Sequence, residues 1–159
     1  MASGEYSRQT SGAQQTIEQE EAAIQAKENE NNVEKQYLRE ILPKSSPLHI
    51  PQNAKISKQT KNGYDQVKYQ WSESSYNYTC RWHTRTPNAP PEQGDSWVVE
   101  RHRPGIGAGP NARKAKREIL IGKGKWISKS TWDEAIRARK TGKATQEQKE
   151  ILKHGHWKA

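Results

Sequence analysis

The segment Tyr78-Thr-Cys-Arg-Trp-His-Thr-Arg-Thr-Pro87 places an imidazole between two guanidiniums at two-residue spacing. If Tyr78, Cys80 and Trp82 point into a core, the pleat of a strand sets Arg81, His83 and Arg85 together on the opposite, solvated face. Such a cluster suits a phosphodiester. Arginine forks pair with phosphate oxygens and stabilise the extra charge of a pentacoordinate transition state, and histidine moves a proton near neutral pH. Thr84 or Thr86 is expected to orient the nucleophile or the scissile phosphate. The plain alternative is a solvated strand face with incidental charges.

A second segment, Trp97-Val-Val-Glu-Arg-His-Arg103, supplies the other half of a site. As an antiparallel neighbour it brings either Glu100 and His102 or Arg101 and Arg103 beside His83. If Val99 joins Trp97 in the core, Arg101 and Arg103 share that face and Glu100 with His102 take the other. A carboxylate and an imidazole can divide the base and acid roles when a ribose 2′-hydroxyl attacks its own 3′-phosphate, a reaction that needs no metal and no cofactor. The competing reading of Glu100 is a structural pair with a cross-strand arginine.

Other histidines offer less. His49 lies between prolines on a linker, from where it could fold over the sheet as a further acid or base. His154 and His156 have close spacing but no thiol or carboxylate nearby to complete a metal set, so they are expected to frame a helix end. The glycine-rich stretch Pro104-Gly-Ile-Gly-Ala-Gly-Pro110 lacks the Gly-Lys-Ser/Thr ending of a phosphate loop. It reads as a mobile loop, and two readings stand equally: a plain surface loop, or one that closes with Arg113, Lys114, Lys116 and Arg117 over a nucleic-acid backbone. Lys123, Lys125, Lys129, Arg137, Arg139 and Lys140 extend the basic surface.

These residues need a scaffold, and composition limits it. The chain has 159 residues, 30% of them hydrophobic, no Phe, and a net charge of +9. That allows one compact domain with an appendage, a modest core built on Trp and Tyr, and a polyanionic partner whose counterions Lys and Arg displace. Cys80 is the single cysteine and reads as a small buried hydrophobe. No run approaches the roughly 20 apolar residues that span a bilayer, and the polar start after Met1 lacks a signal-peptide pattern, so a soluble chain without a membrane segment is expected.

Glutamates crowd the first part of the chain, and Lys and Arg dominate from Lys55 onward. Residues 1–13 read as disordered and 14–42 as a polar helix, so that 1–54 form a linker ahead of a basic domain at 55–159. Two-residue alternation predicts a hairpin of Val67, Tyr69 and Trp71 with Tyr76, Tyr78, Cys80 and Trp82, a third strand at Ser96–Arg103, and a second hairpin at 118–122 and 125–128. Two helices close the chain. Ser130 to Asp133 and Thr145 to Gln148 resemble capping boxes, Gly142 and Gly155 sit at helix ends, and Trp132, Ala135, Ile136, Ile151 and Leu152 face the sheet. The expected class is α+β, a small twisted antiparallel sheet packed by helices and preceded by a polar helical or disordered linker.

The layout resembles the C-terminal toxin regions of contact-dependent growth inhibition proteins and other bacterial polymorphic toxins, in which a Val-Glu-Asn-Asn linker motif precedes a small basic nuclease domain. Asn29-Glu-Asn-Asn32 matches the last three positions of that motif. Within the basic half, Arg81, His83, Arg85 and Thr86 look like the sites of metal-independent ribonucleases of the barnase, EndoU, colicin and RelE assemblage. The resemblance implies a secreted or cell-surface-delivered effector acting in the target-cell cytoplasm, and a cognate, acidic immunity protein.

The expectation is an endoribonuclease toxin that cleaves RNA, tRNA or rRNA foremost, and leaves a 2′,3′-cyclic phosphate. His83 and Glu100 share acid and base duties, and Arg81, Arg85 and Arg101 hold the phosphate. Thr84 or Thr86 orients it, and His102, Arg103, Arg113 and Lys116 line the path of the RNA. The rivals are a metal-dependent DNase toxin and a non-catalytic nucleic-acid-binding module whose rings stack on bases.

Overall fold

The structure, a computed structural model, describes residues 2–159, with side chains from Gly12 onward. The chain divides into two compact units, Met1–Ile41 and Leu42–Ala159. In the first, helix α1 (Ala2–Gln36) runs into a π-helical turn, Tyr37–Ile41. Glu, Gln, Ala and Lys are strong helix formers, and local bridges such as Gln25 Nε2 to Asn29 Oδ1 (3.1 Å) add to them. Ile17, Ile24 and Val33 stay exposed, because their spacing makes no continuous apolar stripe. The backbone is helical where residues 2–13 were expected to be disordered; Met1 lies outside the described residues.

The second unit is α+β. Strands β1 (Lys55–Lys61), β2 (Tyr64–Glu73), β3 (Tyr76–His83), β4 (Ser96–Arg103), β5 (Lys116–Gly122) and β6 (Lys125–Ser128) form an antiparallel meander in chain order. Helices α2 (Lys129–Lys140) and α3 (Gln146–Gly155) follow, and a short β7 (Trp157–Lys158) returns to β4. The pairing of β4 with β5 runs from Glu100↔Ile119 to Arg103↔Lys116. This leaves the other end of that edge for β7, which pairs Ser96↔Lys158 and Trp97↔Trp157.

The two predicted hairpins and the strand Ser96–Arg103 form as read from the alternation, while β1 and β7 were not foreseen. β1 reads Lys-Ile-Ser-Lys-Gln-Thr-Lys and sits at the sheet edge, mostly exposed, so it has no apolar alternation to show. The folded unit also starts at Leu42, earlier than the expected boundary at residue 55. Leu42, Ile50 and Ala54 are buried, Trp97 Nε1 donates to Ser45 Oγ at 2.9 Å, and Ser46 Oγ lies 3.8 Å from Cys80 Sγ. The segment 42–54 thus covers one sheet face, above Tyr69, Cys80, Trp97 and Val99, which are at most 1% exposed.

The helices cover the other face. Trp132, Ala135 and Leu152 pack on Val98, Ile119 and Ile121, flanked by Ile127, Ile136 and Ile151. Fully burying a Val, Leu or Ile side chain stabilises by about 1.5–3 kcal/mol. Helix α2 is capped by Ser128, which accepts from Thr131 N, and not by the predicted Ser130. The Thr145–Gln148 capping box forms with both reciprocal bonds, at 3.1 and 2.9 Å. Gly142 adopts φ +70°, as its place after α2 requires. Gly155 has a different reason: it closes α3 with the Trp132 ring pressed on it, and a Cβ there would come within 2.2 Å of that ring. Among the described residues no helix is long and apolar enough to cross a membrane.

Candidate functional site

The register of β3 and β4 decides which candidate residues meet. Arg81 pairs with Val98, His83 with Ser96, Thr79 with Glu100 and Asn77 with His102. Val98 belongs to the core under the helices. Arg81, His83, Glu100 and His102 therefore share the helix-side face, as the burial of Val99 with Trp97 on the other face demands.

On that face lies a cleft of about 480 Å³ whose walls include Arg81, His83, Thr86, Glu100, Lys61, Lys129, Arg139 and His156. His83, expected on a solvated face, is 6% exposed because α2 and the end of α3 lean over its part of the sheet. Its Nδ1 donates to the Thr84 carbonyl at 2.9 Å, which fixes the tautomer and leaves Nε2 as the basic atom. Burial lowers its pKa below the ordinary 6.5, opposed in part by that carbonyl. The imidazole is neutral at pH 7.

The residue nearest to His83 in kind was placed by the sequence only at a helix end. His156 is the C-cap of α3, its Nδ1 donates to Leu152 O at 2.6 Å, and its ring meets His83 edge-on with centroids 5.7 Å apart. Burial, with Arg139 and His83 nearby, lowers its pKa to about 4. Strand β7 is what carries it there. Arg139, with one guanidinium nitrogen 2.8 Å from Gln93 Oε1, closes the wall beside it.

Glu100 does not reach His83. It sits opposite Thr79, four positions along β3 from His83, which is about 13 Å at roughly 3.3 Å per residue. It is 5% exposed and lies 3.7 Å from both Arg81 Nη1 and Arg117 Nη1. Its Oε1 has no hydrogen-bond partner among the described residues. The carboxylate is flanked by two guanidiniums, Arg81 in this cleft and Arg117 in the neighbouring one, and the geometry gives it no proton to exchange with His83. His102 lies further along, in a shallower cleft of about 500 Å³ that shares Arg81 and Glu100 with the first.

The other expected residues fall elsewhere. Arg101 and Arg103 project from the far face, one residue out of phase with Glu100. Arg101 donates to Glu118 at 2.9 Å and lies between the rings of Tyr76 (4.3 Å) and Trp126 (4.1 Å). Lys116 lies 3.6 Å from the same Glu118, likewise on the far side. Arg85 lies beyond the end of β3, where its guanidinium donates to the carbonyls of Ala89 and Pro90 and holds its own loop together. Thr84 Oγ1 accepts from Asp65 N at 2.9 Å and ties the start of β2 to the chain just past β3. Arg113 donates to Pro104 O at 2.9 Å and, through its backbone bridge to Ile106, closes the glycine-rich loop. His49 is exposed on the segment that covers the far face. Cys80 is fully buried with its thiol pushed up to about 12, an inert apolar group.

Among the described residues no three His, Cys, Asp or Glu side chains converge as metal ligands. What the cleft presents is a basic ring nitrogen at the foot of a wall of cations, an arrangement that can take a proton from a hydroxyl beside a bound anion. Comparisons with protein-family models, curated proteins and solved structures return no match for this chain.

Proposed function

We propose that this unit is an endoribonuclease toxin, and that the helix-side cleft is its active site. The observation that carries the reading is His83: its Nδ1 is committed to a backbone carbonyl, and its ring forms one wall of a cleft with Arg81, Arg139 and Lys61. In the reaction, His83 Nε2 takes the proton of a ribose 2′-hydroxyl, whose oxygen attacks the adjacent phosphorus. Arg81 and Arg139 stabilise the added negative charge, and Thr86 orients the phosphate from the cleft wall. The bond from phosphorus to the 5′-oxygen breaks, that oxygen is protonated from solvent, and a 2′,3′-cyclic phosphate remains. Glu100 acts as a positioning residue for Arg81 and Arg117. The basic cleft also suits an acidic immunity protein in a producing cell, consistent with an effector delivered to a neighbour's cytoplasm.

The test is incubation with total bacterial RNA and with plasmid DNA, each with and without EDTA, followed by mapping of the ends. RNA cleavage that survives EDTA and leaves cyclic phosphates is the expected result. Cleavage of DNA alone, or only with a divalent metal, overturns it in favour of the DNase reading, and stable binding without cleavage leaves a binding module.

A further inference from the structure

The His83 cleft is the middle of three. Along the strands toward the β2–β3 turn it shares Arg81 and Glu100 with the His102 cleft. On the other side it shares Asn88, Arg139 and His156 with a third cleft of about 670 Å³, between the loop around Pro90 and helix α3. The three clefts follow one another, each meeting the next at these shared side chains, and together they are called the trough. Its floor along β3 from Asn77 to His83 alone extends about 20 Å at roughly 3.3 Å per residue.

Charge marks both ends. Lys55 and Arg117 line the outer cleft at one end, and Lys149, Lys153 and Lys158 line the other. Lys149 and Lys153 stand four residues apart on α3 and so share one helix face. Carboxylates are present too, Glu92 and Glu150 at the α3 end, Asp133 near the middle and Glu100 in the two sections toward Lys55, but basic side chains outnumber them in every section. Asp133 is engaged by Lys129 at 2.9 Å.

From this continuity we infer that the substrate is single-stranded RNA, threaded through the whole trough with the scissile phosphate beside His83 and nucleotides held on both sides of it. This rests on the ribonuclease reading and adds the substrate class. A duplex presents two strands and a rigid cylinder, whereas a single strand tracks a cationic groove and places its bases against the walls. The trough exceeds the needs of a dinucleotide. It matches the site of about four nucleotides or more that such grooves accommodate.

The probe is an uncleavable 2′-O-methyl RNA 12-mer, compared with the same strand in a duplex and with a 3-mer, in fluorescence anisotropy over a salt series. The single-stranded 12-mer is expected to bind at least about tenfold more tightly than either. Lys149→Glu with Lys153→Glu at one end, and Lys55→Glu at the other, are each expected to weaken it severalfold. Each is also expected to flatten the salt slope by about 0.7 for every phosphate that is no longer neutralised. These lysines are exposed, so the variants keep the fold, checked by thermal melting. Equal or tighter binding of the duplex, or weakening confined to one end, overturns the threading. Binding is read without cleavage, so a trough that binds this strand but never cuts RNA refutes the ribonuclease alone, and cutting of duplex RNA refutes the single-stranded track alone.

Discussion

Each face of the sheet carries an arginine beside a buried glutamate, and the two settings differ in how completely the charges are satisfied. On the far face Arg101 bonds to Glu118 at 2.9 Å, with a ring on either side at just over 4 Å and Lys116 on the second carboxylate oxygen. On the helix face Arg81 and Arg117 stand 3.7 Å from Glu100, longer than a hydrogen bond, and one carboxylate oxygen has no such partner among the described residues. The far face thus has one hydrogen-bonded ion pair and the helix face has only longer contacts; a bonded pair rigidifies the sheet, and an unbonded one keeps cations available to an incoming anion. The same residue types therefore serve stability on one side and, in the proposed reaction, catalysis on the other.

The sharpest way to break this contrast is at His83. His83→Ala is expected to lower kcat for RNA cleavage by about 10²–10⁴-fold, the usual contribution of a positioned acid or base. Binding of an uncleavable RNA strand should remain. The acid limb of the wild-type rate profile should fall below the ordinary histidine pKa of 6.5, since burial lowers that of His83. Turnover within threefold of wild type would remove the imidazole from the mechanism and leave both faces as mere supports.

How much of this was legible follows from which forces leave a periodic trace. Val67, Tyr69, Cys80, Trp97 and Val99 alternate because one sheet face is buried, so β2, β3 and β4 could be read along with the split of Arg101 from Glu100. Counting Arg101 with His83 let charge type outweigh that parity. The register was not legible: Glu100 looked like a partner for His83, yet the pairing sets them four residues apart. Nor was His156. Its arrival depends on β7, a strand of two residues whose only visible sign is a tryptophan after the His-Gly-His run. Arg85 continued the alternation on paper, but β3 stops at His83 and the chain turns away.

The buried histidines also make stability depend on pH, an effect second in size to the one expected at His83. In the unfolded chain His156 titrates near 6.5, and in the folded protein near 4. Between those values the unfolded state binds the extra proton, so stability falls as pH drops through that window and levels off below it. The contribution is on the order of 3 kcal/mol between pH 7 and pH 4, with His83 adding in the same direction. Urea midpoints between pH 7.5 and 4 measure it. His156→Gln is expected to flatten the curve, and an unchanged slope would mean that the ring is not shielded beneath the helices.

The smallest expected effect tests the far face. Arg101→Met removes the cation from Glu118 and from the Tyr76 and Trp126 rings. A hydrogen bond to a buried charge and its ring contacts together stabilise by about 2 kcal/mol. Lys116, half exposed, is left to face the carboxylate, which keeps the destabilisation below that of an isolated buried charge. The melting temperature should drop while kcat/KM stays within threefold, since neither Arg101 nor Glu118 lines any of the three clefts. Adding Glu118→Leu should recover part of the stability, because removing both charges also removes the cost of burying one alone. A variant that instead keeps its stability and loses turnover would reverse the assignment of the faces, and would place the RNA on the aromatic side of the sheet.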